Sequence, residues 1–240
     1  MKASNQLKST TEEIRERFDA DVERFSNLET GQQSTVDAPL SLELIAAAAR
    51  AANPHATKLL DVGCGAGNYT IKMLGKIPGL SCTLVDLSMP MLQKAEERVI
   101  PATSGNVKII QADVRELELP ENEYDIIVAG AVLHHLRDDA EWEEVFGKLY
   151  ISLRQGGSLW ISDLIEHGSG PVSLLFWQKY GEYLEQSGGA EYREKVLAYI
   201  EKEDSPRPLM YQLELLKKAG FRQIEVLHKH LCFAAFGGIK

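Results

Sequence analysis

The sequence predicts an α/β fold: a doubly wound, mostly parallel seven-stranded sheet with helices on both faces and one antiparallel strand near its C-terminal edge. Three observations support this prediction. Apolar runs alternate with helical patterns over residues 54–163, as parallel strands joined by crossover helices require. The first run ends in a glycine-rich turn at 63–67, where such sheets bind ligands. Two β-type runs close the chain with only a short link between them.

Residues 1–53 are predicted to be helical and to form part of a substrate cover. A capping box at Thr10 and Glu13 starts an amphipathic segment that continues through Phe25. A loop rich in Gly, Gln, Ser and Thr follows at 31–36, and then an Ala-rich helix over about 40–52. Asn53-Pro54 ends that helix.

Residues 54–163 are predicted to form the core of the sheet. Each expected strand is an apolar run, and each connecting segment has apolar residues at helical spacing. The predicted strands cover 58–63, 81–87, 107–114, 124–133 and 158–164, and the helices between them cover 69–77, 89–99 and 138–153. Gly156-Gly157 is expected to turn the chain into the fifth strand.

The C-terminal part breaks this alternation within what we expect to be one structural domain. Residues 164–207 are predicted to form a helical insertion or lid, with two helices over 171–203 and flexible glycine links at 168–170 and 188–189. Residues 208–240 supply a helix ended by Gly220 and strands over 222–229 and 231–237. Two strands joined so closely must pair antiparallel, since a parallel pair needs a long crossover.

Composition narrows the class of protein. The net charge is −9, which disfavours a general nucleic-acid partner because phosphate affinity comes largely from Lys and Arg, although it leaves a local basic patch open. The three cysteines are widely spaced, and the N-terminus is polar, without an apolar segment of signal-peptide type. No apolar stretch is long enough to span a bilayer. We therefore expect a cytoplasmic monomer or homodimer without a membrane partner.

The glycine run at Gly63, Gly65 and Gly67 indicates a ligand that approaches bare backbone. A tight strand-to-helix turn without a ligand is the alternative, but Asp86 ends the second strand where an acid that binds ribose hydroxyls belongs. Asn68 stands where the third glycine of a dinucleotide fingerprint would be, which disfavours NAD. No GK[ST] follows, so the run is not a Walker loop.

These residues carry a resemblance. The stretch LLDVGCGAGNYT looks like the first motif of class I S-adenosylmethionine-dependent methyltransferases, and the likeness covers about 57–163. Asp86, QADV at 111–114, DIIVAGAVLHHL at 125–136 and LRQGGSLWISD at 153–163 match further motifs of that family in order, as does the terminal hairpin. The resemblance implies a Rossmann-like fold, S-adenosyl-L-methionine as cofactor and S-adenosyl-L-homocysteine as product.

The resemblance also implies roles for residues. Asp86 would hold the ribose hydroxyls, Asp113 would face the adenine amino group, and the fourth strand would line the methionine end. The cofactor-binding residues expected on this basis are Asp61, Gly63, Cys64, Gly65, Asn68, Asp86, Leu87, Met91, Asp113, Val114 and Ala129.

His134 and His135, just beyond the fourth strand, are the candidate catalytic residues, because imidazole has a pKa suited to a general base. The alternative is that one hydrogen-bonds backbone and the other is solvated. A metal site at this pair or at His228 and His230 is not expected, since no carboxylate or cysteine lies at ligand spacing.

The acceptor is expected to be a small molecule enclosed by the aromatic-rich insertion and the N-terminal helices. A second resemblance concerns the C-terminal third, which looks like the carboxy-S-adenosylmethionine synthases of tRNA modification. Those use an Arg in the helix before the KAGF segment, whereas this chain has Leu215 and Leu216 there. That activity is the alternative to a methyltransferase. A non-catalytic S-adenosylmethionine-binding module is a third possibility.

Overall fold

The computed structural model describes residues 8–27, 32–168 and 170–240. The predicted loop over 31–36 is therefore described from Gln32 onward. Gly31 lies outside the described residues, as do Ser169 of the predicted glycine link at 168–170 and residues 1–7, on which part of the N-terminal expectation rests.

Seven strands form one sheet in the order β3-β2-β1-β4-β5-β7-β6. They are β1 (Lys58–Val62), β2 (Ser81–Asp86), β3 (Val107–Gln111), β4 (Tyr124–Gly130), β5 (Leu153–Leu164), β6 (Gln223–His230) and β7 (Phe233–Ile239). The pairs from β3 to β5 are parallel, whereas β7 runs antiparallel to both β5 and β6. The predicted seven-stranded sheet with one reversed strand next to its edge is confirmed.

Helices cover both faces of the sheet, as predicted. The α-helices of the described residues are α1 (Thr11–Ala20), α2 (Val22–Ser26), α3 (Ala38–Ala52), α4 (Asn68–Lys76), α5 (Met89–Val99), α6 (Asp139–Ser152), α7 (Gly170–Glu203) and α8 (Leu209–Ala219). One core packs α3, α4 and α5 against the strands, through residues such as Ile45, Met73 and Leu92. The other packs α6 and α8 against the opposite face, through Trp142, Phe146 and Leu216.

Local chemistry sets several helix ends. The Thr10 hydroxyl accepts a hydrogen bond from the Glu13 amide at 3.2 Å, and the Glu13 carboxylate accepts one from the Thr10 amide at 2.8 Å. The predicted capping box is thus confirmed. Helix α7 is broken at Gly189, whose φ of 85° and ψ of 176° are not helical. The two predicted helices over 171–203 are confirmed, and glycine is suited to the break because it adopts positive φ without strain.

Several elements differ from their predicted bounds: β3 ends at Gln111 rather than 114, β4 ends at Gly130 rather than 133, and β7 covers Phe233–Ile239 rather than 231–237. Strand β5 begins at Leu153 rather than 158, because the segment before Gly156-Gly157 pairs with β4 across a register shift between Tyr124 and Ile126. Helix α3 packs on the sheet rather than over a site, and only its first residue, Ala38, lines the cavity described below. Among the described residues, no helix combines the length and apolar character needed to cross a membrane.

Candidate active site

A cavity of about 210 Å³ lies at the carboxyl ends of the parallel strands. Its walls come from the loops after β1, β2, β3 and β4, and it is closed by α1, α2, the segment 32–37 and α7, which together we call the cover. Eleven of the thirteen predicted site residues line it: Gly63, Cys64, Gly65, Asn68, Asp86, Leu87, Met91, Asp113, Val114, His134 and His135. Asp61 and Ala129 do not, because both side chains are buried beneath this wall.

The three glycines of the loop have three different reasons to be glycine. All have positive φ, which favours glycine. At Gly63 a Cβ would lie 2.5 Å from the Val132 side chain, and at Gly67 it would lie 3.3 Å from Ala95 of α5. At Gly65 a Cβ would meet no atom within 4 Å and would project from the cavity wall. Gly65 therefore marks the backbone that a ligand can approach.

Asp86 is tied to this loop. Its Oδ2 accepts a hydrogen bond from the Gly65 amide at 2.8 Å, and its Oδ1 accepts one from the Ser88 amide at 2.9 Å. Burial raises the pKa of Asp86, and these backbone hydrogen bonds oppose that shift. The carboxylate lines the cavity at the tip of β2, a position suited to accept hydrogen bonds from ribose hydroxyls.

Asp61 is buried beneath the glycine loop and hydrogen-bonds Thr70 of α4. Its Oδ2 accepts hydrogen bonds from the Thr70 hydroxyl at 2.7 Å and from the Thr70 amide at 3.2 Å. Burial raises the pKa of Asp61 to about 7. Because it holds the first turn of α4 against β1 and does not reach the cavity, its geometry is that of a positioning residue rather than a direct ligand contact.

Asp113 lines the cavity, but its carboxylate already has a partner. The Arg115 Nε lies 2.9 Å from Asp113 Oδ1, and Arg115 also donates to the Thr11 hydroxyl at 2.6 Å. Burial opposes ionisation of Asp113, but Arg115 outweighs it and lowers the pKa of this carboxyl. The sequence reasoning missed Arg115, which links Asp113 at the cavity wall to the N-terminal helix of the cover.

Asn68 also connects the loop to the cover. Its Nδ2 donates to the Phe25 carbonyl at 3.0 Å, and its Oδ1 accepts from Arg98 at 2.9 Å. A glycine at this position, as in a dinucleotide fingerprint, would remove both contacts. The residue that distinguishes this loop from an NAD-binding turn therefore holds the short helix α2 in place.

His134 is buried between two carboxylates. Its Nδ1 hydrogen-bonds Asp163, a residue of β5 that the sequence reasoning missed, and its Nε2 lies 3.6 Å from Asp204 Oδ1. Burial alone would lower the pKa of His134, but the charges of Asp163 and Asp204 outweigh it and raise that pKa to about 9. His134 is therefore a cation at neutral pH.

His135 has the opposite electrostatic environment. Burial, followed by the charges of His134 and Arg17, lowers its pKa well below the usual value. Its ring lies edge-on to Phe18, and its Nδ1 is 3.3 Å from Asp204 Oδ1 without good hydrogen-bond geometry. Two neighbouring imidazoles thus have pKa values shifted in opposite directions, an arrangement typical of an acid–base site.

This assignment predicts a pH dependence of stability. A histidine whose folded pKa is raised contributes stability that is complete below its unfolded pKa of about 6.5 and is lost as the pH rises toward 9. Asp204, with a pKa of about 6, is already ionised in that window. We expect the free energy of unfolding, measured with urea, to fall between pH 7 and pH 9, and to fall less in His134→Gln. Equal slopes for the two proteins would contradict the assignment.

Contacts at two places along α7 join it to the other parts of the cover. Arg17 of α1 makes a two-pronged contact with Glu203, at 3.0 and 2.9 Å, and the Tyr180 hydroxyl donates to the Ser34 carbonyl at 2.8 Å. The aromatic residues of the cover and of β7 that line the cavity are Phe18, Phe25, Tyr180, Tyr199 and Phe233. The other aromatic residues of the insertion do not line the cavity but pack against the cluster beside it: Phe176, Trp177, Tyr183 and Tyr192.

Both histidine pairs have a carboxylate that local spacing could not reveal. Asp204 lies beside His134 and His135, and Asp37 lies beside His228 and His230. Asp37 is 191 residues from His228 in the chain. The expectation that no metal binds at either pair rested on the lack of a carboxylate at local spacing, whereas the fold brings one to each pair.

Comparison with known proteins agrees with this geometry. Residues 59–157 match the family model described as a methyltransferase domain. A malonyl-[acyl-carrier protein] O-methyltransferase of Paenibacillus sp. (strain JDR-2) is 31% identical over 61% of this chain and 52% of its own length. A carboxy-S-adenosyl-L-methionine synthase of Nautilia profundicola is 26% identical over 76% of this chain and 77% of its own length. A demethylmenaquinone methyltransferase of Listeria monocytogenes is 29% identical over 71% of this chain and 72% of its own length. The chain thus spans about half the length of the first relative and about three quarters of the other two.

Solved structures show the same fold at low identity. The phosphoethanolamine N-methyltransferase 2 of Haemonchus contortus, in complex with S-adenosylhomocysteine, aligns with a TM-score of 0.62 and 23% identity over 91% of this chain and 46% of that chain. Human N-acetylserotonin methyltransferase, in complex with S-adenosylmethionine, aligns with a TM-score of 0.59 and 18% identity over 96% of this chain and 56% of that chain. Residues 59–157 thus form a methyltransferase domain, and its cofactor is S-adenosylmethionine.

Proposed function

We propose that this protein transfers a methyl group to a small molecule held under the cover. The observation that carries the proposal is the covered cavity, in which the cofactor-binding loop and the His134–His135 pair share one space. The methyl acceptors named for two relatives, a malonyl-[acyl-carrier protein] that is methylated on oxygen and demethylmenaquinone, support an oxygen-bearing acceptor. A net charge of −9 disfavours a polyanionic one.

The residues present fit the cofactor. Gly65 leaves open space at the cavity wall, Asp86 offers carboxylate oxygens at the tip of β2, and Met91 adds an apolar wall. When bound, S-adenosylmethionine supplies an activated methyl group for in-line displacement. Asp86 would bind the ribose hydroxyls, and the loop around Gly65 would accommodate the amino-acid part. The cover would exclude water and hold the acceptor at attack distance.

We assign the proton chemistry to the histidine pair. His135, neutral at pH 7, would accept the proton that an O–H or N–H acceptor loses as it is methylated. His134, held as a cation by Asp163 and Asp204, would orient that acceptor and stabilise negative charge on it. The sequence reasoning treated the two histidines as equal candidates, whereas this proposal gives them different roles.

The carboxy-S-adenosylmethionine synthase alternative has less support in the structure. Leu215 and Leu216 are buried in the core between α8 and α6, and no residue of α8 lines the cavity among those described. An Arg from this helix could therefore not reach the cofactor without repacking. Mass spectrometry of the cofactor that copurifies distinguishes the two: the alternative requires a species heavier by one carboxyl group.

The cofactor preference is tested by calorimetry with S-adenosylmethionine, S-adenosylhomocysteine and NAD. We expect the first two to bind and NAD to bind more weakly, because Asn68 occupies the position of the third glycine and is fixed by two hydrogen bonds. Tighter binding of NAD than of S-adenosylmethionine would contradict the proposal. Binding of S-adenosylmethionine without turnover of any acceptor would favour a non-catalytic module.

Asp86→Ala should weaken binding of S-adenosylhomocysteine by at least about tenfold. A charge-assisted hydrogen bond contributes about 1.5–3 kcal/mol, and Asp86 would make two to the ribose. The measurement is calorimetry, with thermal unfolding to show that the variant is folded. Asp86→Asn keeps one acceptor oxygen for the Gly65 amide and should lose less. An unchanged dissociation constant in Asp86→Ala would show that this side chain only fixes its loop.

Ligand binding should protect the break in α7 from proteolysis. Residues 188–190 are exposed, and Gly189 interrupts the helix, so a protease can cut there when the cover opens. We expect cleavage near Gly188 to slow when S-adenosylhomocysteine is added. Cleavage that stays equally fast, under conditions where calorimetry shows saturation, would mean that α7 does not move as part of the cover.

We also propose a cytoplasmic location and a monomeric or homodimeric state. The three cysteines, Cys64, Cys82 and Cys232, are buried free thiols, which suits a reducing compartment. Cell fractionation and light scattering test these two points.

A further inference from the structure

A second cluster of metal-ligating side chains lies outside the active-site cavity. Asp37 stands immediately before α3, and His228 and His230 lie on β6. Asp37 Oδ2 is 2.9 Å from His228 Nε2 and 2.7 Å from His230 Nδ1. One ligand atom from each of the three residues lies within 4.8 Å of the other two.

Asp37 does not follow the usual preference of an aspartate at the start of a helix. An aspartate at the start of a helix usually caps it, yet the Asp37 side chain makes no capping hydrogen bond to α3. Its backbone has a φ of 55°, a left-handed conformation that is uncommon outside glycine. The carboxylate points instead at the two imidazoles, which both converge on a single oxygen. A role in capping therefore does not explain this aspartate.

We propose that Asp37, His228 and His230 bind a divalent transition-metal ion of the Zn²⁺ type. Two imidazoles and a carboxylate form a donor set suited to zinc and its neighbours rather than to Ca²⁺ or Mg²⁺. Ligand atoms around a tetrahedral zinc lie about 3.3–3.5 Å apart, given metal–ligand distances of about 2.0–2.1 Å. The two Asp37–imidazole separations need to widen by less than about 1 Å to reach this value. His230 is about half exposed, so water can complete the coordination.

The ion would fasten the base of the cover to the sheet. The Gln33 and Ser34 carbonyls, just before Asp37, accept hydrogen bonds from Tyr183 and Tyr180 of α7. Thr35 and Ala38, on either side of Asp37, line the cavity. Holding Asp37 against β6 therefore fixes the segment that carries both sets of contacts. This structural role does not depend on the proposed methyl transfer.

The test is metal binding by the full-length, untagged and chelator-treated protein. We expect Zn²⁺ to bind by calorimetry, Co²⁺ to produce visible absorption bands, and both ions to raise the melting temperature in proportion to ln(1 + [metal]/Kd). Ca²⁺ should neither bind nor raise the melting temperature. No binding of Zn²⁺ or Co²⁺ would overturn the proposal.

Variants locate the ion. Asp37→Asn keeps the shape of the side chain and tolerates the left-handed backbone, and His230→Gln changes a half-exposed residue. Each should weaken Zn²⁺ binding at least about tenfold, since even outer partners of metal ligands contribute 10–100-fold. His55→Gln, which removes an exposed histidine outside the cluster, is the matched control and should bind as the parent does. Binding that survives Asp37→Asn, or that is lost in Asp204→Asn instead, would contradict the assignment.

Discussion

Gly65→Val is expected to weaken binding of S-adenosylmethionine by about a hundredfold or more. A Cβ added at this position would meet no atom within 4 Å, and Gly65 lines the cavity, so the valine methyl groups would occupy space that the cofactor needs. Overpacking of this kind costs up to about 3 kcal/mol, which corresponds to roughly a hundredfold in a dissociation constant. Calorimetry with S-adenosylhomocysteine measures the loss.

Gly156→Val separates the loss of space from backbone strain. Gly156 also has a positive φ, of 78°, and open space around its Cβ, but it is exposed at the opposite end of the strands. A valine should strain the backbone at both positions and lower the melting temperature of both variants. Only Gly65→Val should lose the cofactor. Equal binding by the two variants would mean that Gly65 serves the turn and not the ligand.

Asp163→Ala is expected to lower the free energy of unfolding by about 3–5 kcal/mol, as removal of one partner from a buried ion pair does. Asp163 is 2% exposed and accepts hydrogen bonds from the Leu133 and Leu164 amides at 2.9 and 2.7 Å, besides its contact with His134. The variant leaves those donors without a partner, and it leaves the buried imidazolium with Asp204 as its remaining carboxylate. Urea denaturation at pH 7 measures the change.

Asp125→Ala is the matched control for this prediction. Asp125 also accepts from two backbone amides, those of Thr57 and Lys58 at 2.8 and 3.0 Å, but its side chain is 18% exposed. Water can replace part of what is lost, so we expect a decrease of about 1–2 kcal/mol. If Asp163→Ala does not fold, Asp163→Asn, which keeps one acceptor oxygen, should fold with an intermediate loss. A loss in Asp163→Ala no larger than the control's would show that His134 is not held as a buried cation.

The sequence could predict what depends on neighbours along the chain. The turn at Gly63, Gly65 and Gly67, the acid at the end of β2 and the helical and β periodicities are local patterns. The reversal of β7 follows from its short link to β6. These patterns place the cofactor side of the cavity with most of its residues, since the carboxyl ends of parallel strands meet at one edge.

The acceptor side could not be predicted in this way, because long-range contacts build it. Arg17 and Glu203 are 186 residues apart, and Asp163 reaches His134 only because β5 lies beside β4. The opposite charge states of His134 and His135 depend on burial and on Asp204, which sequence spacing does not reveal. Asp61 and Ala129 were expected at the ligand because they lie within its motifs, yet strand alternation turns their side chains into the core.

The measurement that tests the central claim most directly is transfer of a tritiated methyl group from S-adenosylmethionine into a cell extract separated into small-molecule, RNA and protein fractions. We predict label in the small-molecule fraction, formed by the parent protein and absent with Gly65→Val. Label in the RNA fraction alone would contradict an enclosed small-molecule acceptor and favour a role in tRNA modification.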